Sequence, residues 1–274
     1  MNTLSRHIPR ITAGLLLVFL VLLPARAHSA TTSMLVASSI AMFAVCWASA
    51  IHLLGGAAAL RFVLIATSLG WLAEQLGSSY GWFFGSYAYT AVLGPTLGDV
   101  PAVIPLMWFA LAYIGYVTAN LIVWQAPSDG KGPLLQGVVM SLLAAMIVTA
   151  YDLGADPYMV FKLEAWIMAK RDGWWFGETL QGFVGWMFVS FVIVAAFRLS
   201  VRRRPPVPAQ PVARRHALVP LAIYGANLAF QACLGYPVET RTVAVFAMGI
   251  PLLAALCGFV RWQRPASAKA EGAA

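Results

Sequence analysis

Between Arg26 and Arg61 the chain carries no Asp, Glu, Lys or Arg at all. A soluble helix needs one polar face, so a stretch this long with no charge belongs in lipid rather than in water. The pattern repeats along the chain. Apolar segments cover residues 11–23, 34–54, 57–76, 101–124, 134–151, 180–197, 217–234 and 243–260, with every charge but Arg61 and Glu74, both in the third, gathered between them. Each is of spanning or near-spanning length, whereas a membrane barrel would alternate with a period of two. Only 10% of the residues are charged and mean hydropathy is +0.78, against about 25% charged in soluble domains. That excludes disorder, which needs low hydrophobicity and high charge. The expected fold is all-α, a polytopic transmembrane helical bundle of 7–8 spans forming one integral membrane domain over residues 1–274.

The first 30 residues allow two readings. Arg6 and Arg10, a short apolar run and the small residues around Ala25, Ala27 and Ala30 imitate a secretory signal; the other reading is a short first span. The net charge of +8 is explained by where the bases fall. With a cytoplasmic N-terminus, thirteen of the 18 Lys and Arg residues lie on the inner side, five of them in a proline-rich loop at 200–215 with Pro205, Pro206, Pro208 and Pro211. This is the positive-inside bias, with anionic headgroups as the partners, and it leaves a nucleic-acid role without support. Both termini are expected in the cytoplasm of a multi-pass cell-membrane protein, with residues 265–274 as a tail. Cys46, Cys233 and Cys257 fall in apolar spans and read as small buried hydrophobes, with no disulfide or metal spacing. His52 ends the second span and His216 follows an arginine pair; both read as boundary residues. There is no phosphate-binding glycine loop, no HExxH and no GxSxG.

The ten acids are distributed unevenly. Glu74, Asp99, Asp152, Asp156, Glu164, Asp172, Glu178 and Glu239 fall on the outer side, with only Asp129 and Glu271 inside. Acids near membrane depth are costly and mark interior or wet cavities. Glu74, Asp152 and Glu178 are placed to converge on one outer cavity. Capping of helix N-termini is the alternative for Asp99 and Glu178. It does not serve Glu74 or Asp152, which are expected at C-terminal ends where the helix dipole disfavours negative charge. Two long loops of glycine and aromatics accompany these acids, one running from Gly81-Trp82-Phe83-Phe84-Gly85 to Pro101, the other from Tyr151 to Gly177. Long ordered loops tend to be functional.

The order Glu74, Gly85-x-Tyr87-x-Tyr89, Pro101, Pro105, Trp108, then Asp152-x-x-x-Asp156-Pro157-x-Met159-Val160, Trp166, Phe176-Gly177 and Phe183-x-Gly185-Trp186 resembles the CruF-type carotenoid biosynthesis proteins, which are membrane carotenoid hydratases. The similarity covers roughly residues 70–197. Glu178-Thr179 and Gly182 depart from the family's usual residues. The resemblance implies addition of water across the terminal C1=C2 bond of an acyclic carotenoid end group. Such an alkene must be protonated at C2, leaving a tertiary cation at C1 for water to capture. The acid has to bear its proton at neutral pH, which apolar surroundings and a second carboxyl both promote. Asp152, Asp156 and Glu74 are the expected catalytic acids. If the helix continues, Asp152 and Asp156 share a face; Pro157 instead favours Asp156 turning back. Tyr87, Tyr89, Trp108, Trp166 and Trp186 offer aromatic faces to the cation, and Asp99 joins them as a substrate-binding candidate. No metal or other cofactor is expected. The expected partners are an acyclic or monocyclic carotenoid, membrane lipids and other carotenoid-pathway enzymes. The rival readings are a membrane prenyl-transferring enzyme, for which a second acidic cluster is missing, and a lipid transporter or scaffold.

Overall fold

The computed structural model describes residues 3–128, 132–203 and 214–262. Eight helices appear among them: α1 (Thr3–His28), α2 (Thr32–Leu54), α3 (Gly56–Tyr80), α4 (Val103–Trp124), α5 (Leu134–Pro157), α6 (Leu180–Arg202), α7 (Leu218–Leu234) and α8 (Thr240–Arg261). All eight contain a segment long and apolar enough to cross a membrane. The proline-rich stretch 204–213, Asp129, Lys131 and the tail at 265–274 lie outside the described residues.

Local signals set the boundaries. Thr31 starts α2 by accepting a hydrogen bond from the Met34 amide at 3.4 Å. Gly81 ends α3 in the left-handed region, φ 71°, where its amide reaches the Gly77 carbonyl at 2.8 Å. The helices overrun the charged residues expected to end them. α3 continues six residues past Glu74, and α5 continues through Asp152 and Asp156 to Pro157, followed by a π-turn over Tyr158–Lys162. Neither Glu74 nor Asp152 therefore sits at the helix terminus expected for it, and the unfavourable end of the helix dipole lies beyond both. The second glycine-aromatic loop is correspondingly shorter, because its residues 151–162 continue α5 and its π-turn.

Lipid tails are as apolar as leucine, so cohesion comes from close contact and interhelical hydrogen bonds, about 0.6–2 kcal/mol each. α4 is the hub, packing against α2, α3, α5, α6, α7 and α8. Its Tyr113 hydroxyl meets Ser49 of α2 at 2.8 Å, and Asn120 accepts from Arg198 of α6 at 2.9 Å. α8 reaches α4 at Gly258, where a Cβ would stand 1.8 Å from the Leu121 carbonyl oxygen; only glycine permits that approach. α1 packs on α2 and α7, placing Phe19 and Leu23 in the common core. Outward-facing residues such as Leu17, Leu135, Phe246 and Ile250 present an apolar surface suited to lipid. Cys46 is buried, but Cys233 and Cys257 lie on this exposed surface, against expectation. His52 and His216 pair edge to face, ring centroids 4.6 Å apart, joining the end of α2 to the turn before α7.

The two glycine-aromatic loops form a single cover. β1 (Tyr87–Tyr89) of the first pairs antiparallel with β4 (Trp166–Met168) of the second, aligning Tyr87 with Met168 and Tyr89 with Trp166. Between them in sequence, β2 (Thr96–Leu97) and β3 (Val100–Pro101) make a small hairpin.

Candidate active site

Under this cover residues of α1 to α6 line an open cavity whose space, counted out to its mouth, is about 1070 Å³. Four acids line it: Glu74, Asp152, Asp156 and Glu178.

Glu74 comes from α3 and is buried. Its Oε1 accepts from the Trp108 indole N–H at 2.9 Å; its Oε2 accepts from the Tyr89 hydroxyl at 2.8 Å and, more closely, from the Tyr87 hydroxyl. Tyr87 and Tyr89 alternate along β1 and so share a face, which is why one strand can deliver both hydroxyls. Burial and the neighbouring Glu74 charge push both phenols above their ordinary pKa, so they stay proton donors. Trp108 is seated against Gly70 and stacks on Trp186, with centroids 4.5 Å apart and planes 29° apart. Phe84 stacks on it at 6.1 Å, and Trp166 meets Tyr89 edge-on at 5.9 Å.

Asp152 and Asp156 lie one helical turn apart on α5, both facing the cavity. Of the two geometries open to the sequence, the helical one is found. Proline has no amide hydrogen, so Pro157 leaves the Leu153 carbonyl without its usual i+4 donor; the Trp175 indole supplies one at 3.0 Å. A tryptophan from the second loop thus completes the helix that holds the two aspartates. Asp152 Oδ2 has no hydrogen-bond partner among the described residues, and Asp156 faces Glu178 and the Trp166 indole.

Two cavity residues were not among the expected catalytic or binding residues, although Glu178 was one of the three acids expected to converge on an outer cavity. Glu178 fits an N-terminal cap by position, yet Thr179 occupies the cap and no side chain bonds the first turn of α6. Glu178 instead points inward, 1% exposed. Burial and the Asp156 charge push its carboxyl up to about 12. Arg26, read as a boundary charge, lines the cavity from α1 with its guanidinium 4.8 Å from the Phe230 ring centre. Glycines 173 and 177, which bond each other's backbone and position Glu178, were the available signal for the first. Nothing in the sequence marks the second.

Tyr87, Tyr89, Trp108, Trp166 and Trp186 are all brought to the cavity. Asp99 is not. It is exposed in the β2–β3 turn and accepts from Gln75 Nε2 and Ser79 Oγ, each at 2.8 Å, tying that turn to the end of α3. Among the described residues no three His, Cys, Asp or Glu side chains are grouped as a metal-binding set.

A sequence profile for a family described as carotenoid biosynthesis protein matches residues 30–256. The chain is 31% identical over 137 residues to a bisanhydrobacterioruberin hydratase of Haloarcula japonica; the match covers 48% of this chain and 43% of that relative. No solved structure matches.

Proposed function

Because the chain belongs to the carotenoid biosynthesis protein family, we propose that it is a carotenoid hydratase acting on the terminal C1=C2 bond of an acyclic end group. The observation that carries the reading is the convergence of Glu74, Asp152 and Asp156 on one cavity walled by Trp108, Trp166 and Trp186. Hydration of an unactivated alkene needs a carboxylic acid, a group to receive a proton from water, and surroundings that tolerate a cation without attacking it. An apolar pocket with aromatic faces meets the last need.

The roles divide by hydrogen bonding. Glu74 is surrounded by three donors, so it is suited to oppose the cation and to take the proton that the captured water sheds. Asp152 and Asp156 are turned toward the open space. In the reaction, the C1=C2 π pair takes a proton from Asp156 to form the C2–H bond. Water then adds to C1, and Glu74 receives the surplus proton. The proton returns to Asp156 past Asp152, which feels the field of both. One water is added and nothing is oxidised or reduced. The lipid-facing surface of the bundle suits a substrate that dissolves in the bilayer. The distribution of arginine and lysine supports a cavity opening toward the outer leaflet, with anionic lipids at the opposite face.

Expression in a lycopene-producing bacterium tests the reading. Pigments heavier by one or two waters are expected. Asp152→Asn and Asp156→Asn should lower their yield by about 10²–10⁴-fold, the usual contribution of a general acid, while the protein still accumulates in membranes. Full yield from both variants would remove the site assignment. Activity that needs a divalent metal and a diphosphate substrate would favour prenyl transfer instead.

A further inference from the structure

The reaction just described leaves one cavity acid without a task. Glu178 is 1% exposed, lines the cavity and faces the Asp156 carboxyl there. Its placement is built rather than incidental. The backbones of Gly173 and Gly177 exchange hydrogen bonds of 3.1 and 3.0 Å, and the Glu178 amide donates to the Trp175 carbonyl at 2.9 Å. A Cβ on Gly173 would lie 1.7 Å from the Glu178 carbonyl oxygen, so the bridge closes only over glycine. Phe176 adopts a φ of 53°, a left-handed conformation that costs a non-glycine residue about 1 kcal/mol or more. This strained turn directs Glu178 against Asp156. Arg26 is an independent sign that the cavity receives something polar: it is 9% exposed, lines the same space, and its Nε has no partner among the described residues.

Resting on the hydratase reading, we infer that Glu178 is a positioning residue for the acid step, donating a hydrogen bond from its carboxyl O–H to the Asp156 carboxylate that forms as Asp156 gives up its proton. The proton of Glu178 is never transferred. It contracts onto the new carboxylate, which makes Asp156 the stronger acid when the C2–H bond forms. The bond pair of the Asp156 O–H stays on Asp156, and the proton that Glu74 later takes from water restores it. The high pKa of Glu178 suits this task, because a partner that ionised at neutral pH would repel the charge it has to stabilise. Its position on a loop fixed by two glycines and a tryptophan holds the donor still while the helices bear the reacting groups.

The test is steady-state hydration of an acyclic carotenoid by the purified full-length protein, comparing Glu178→Leu, Glu178→Gln and Asp156→Asn. A charge-assisted hydrogen bond lost in the transition state lowers kcat by about 10- to 100-fold, so E178L is expected to fall that far with KM unchanged. E178Q keeps an N–H donor and is expected to recover to within about five-fold of the native rate. A structural role would instead raise KM or lower the amount of folded protein. If E178L keeps the native kcat, or changes KM alone, while D156N is inactive, Glu178 has no part in the acid step and the hydratase reading stands. If the native protein forms no hydrated product, or D156N remains fully active, the reading beneath it fails. Should E178L not accumulate in membranes, Glu178→Met takes its place with the same expected loss.

Discussion

Gly70→Ala should slow turnover about 10²-fold from a distance while leaving the bundle assembled. A Cβ at position 70 would stand 2.6 Å from Cγ and 2.7 Å from both Cβ and Cδ1 of Trp108. Ordinary contact begins at 3.4 Å, so the indole has to retreat by about 0.8 Å. It has little room to do so. Trp108 is 2% exposed and lies between Trp186 and Phe84, both stacked on it. A displacement of that size takes its 2.9 Å bond to Glu74 beyond hydrogen-bonding range. Overpacking of this kind costs about 1–3 kcal/mol of stability. Misplacing a reacting group by an ångström costs roughly 10²-fold in rate. Turnover by mass analysis of the pigments, with thermal unfolding of the same preparation, should therefore show a loss of about 10²-fold in kcat and a modestly lower Tm. Trp108→Phe keeps the ring against its neighbours but removes the N–H, and should lose about 10-fold. In the double variant the two losses should not add, because the first has already broken the bond that the second deletes. Native turnover in G70A, or strictly additive losses, would refute the idea that Gly70 acts through the Trp108–Glu74 contact.

Two further outcomes are expected. Glu178 is raised from 4.5 to about 12 in the folded protein, so between those values the unfolded chain has released this proton and the folded one has kept it. The folded state then binds more protons, and stability attributable to this group is fully present below pH 4.5 and falls as pH rises. Thermal unfolding should accordingly find Glu178→Gln more stable than the native protein at pH 8, with the difference shrinking toward pH 4; an equal difference at both pH values would contradict the linkage. For topology, reporters fused after α8 and within the β2–β3 turn should light up on opposite sides of the membrane, the first in the cytoplasm. The same side for both would overturn the orientation inferred from the arginines.

The helices were legible because their signal is redundant. Seven of the eight runs are apolar over a spanning or near-spanning length, and no single residue decides them; the first, residues 11–23, is shorter and left a secretory signal open. Their ends were less legible. A charge marks where a span is expected to leave lipid, but a helix stops only when its hydrogen-bond ladder is interrupted and capped. Glu74 interrupts nothing and Gly81 does, so α3 runs on to Tyr80. Pro157 does interrupt the ladder, but the Trp175 indole repairs the missing bond from 22 residues away. That repair is a tertiary fact with no local trace. The pairing of Tyr87 with Met168 is another: three-residue strands carry too little alternation to be seen before the loops meet.

The same distinction explains which acids form the site. In a bundle whose helices alternate in direction, the C-terminal halves of α3 and α5 and the start of α6 must lie at one face, so the eight acids of the outer set were bound to gather there. Gathering does not choose among them. Glu74, Asp152, Asp156 and Glu178 are buried, while Asp99, Glu164, Asp172 and Glu239 stay exposed. The difference is depth. Glu74, Asp152 and Asp156 sit inside helices that overrun them, and Glu178 is turned inward by the glycine bridge. The exposed four stand in the connections between the helices. An acid beneath the cover has lost its water and must find its partners in the protein. For Glu74 those partners are three donors; for Asp156 they are a second carboxyl and an indole. Unlike partners make unlike acids, and the proposed hydration, which has to both give and take a proton, needs that inequality.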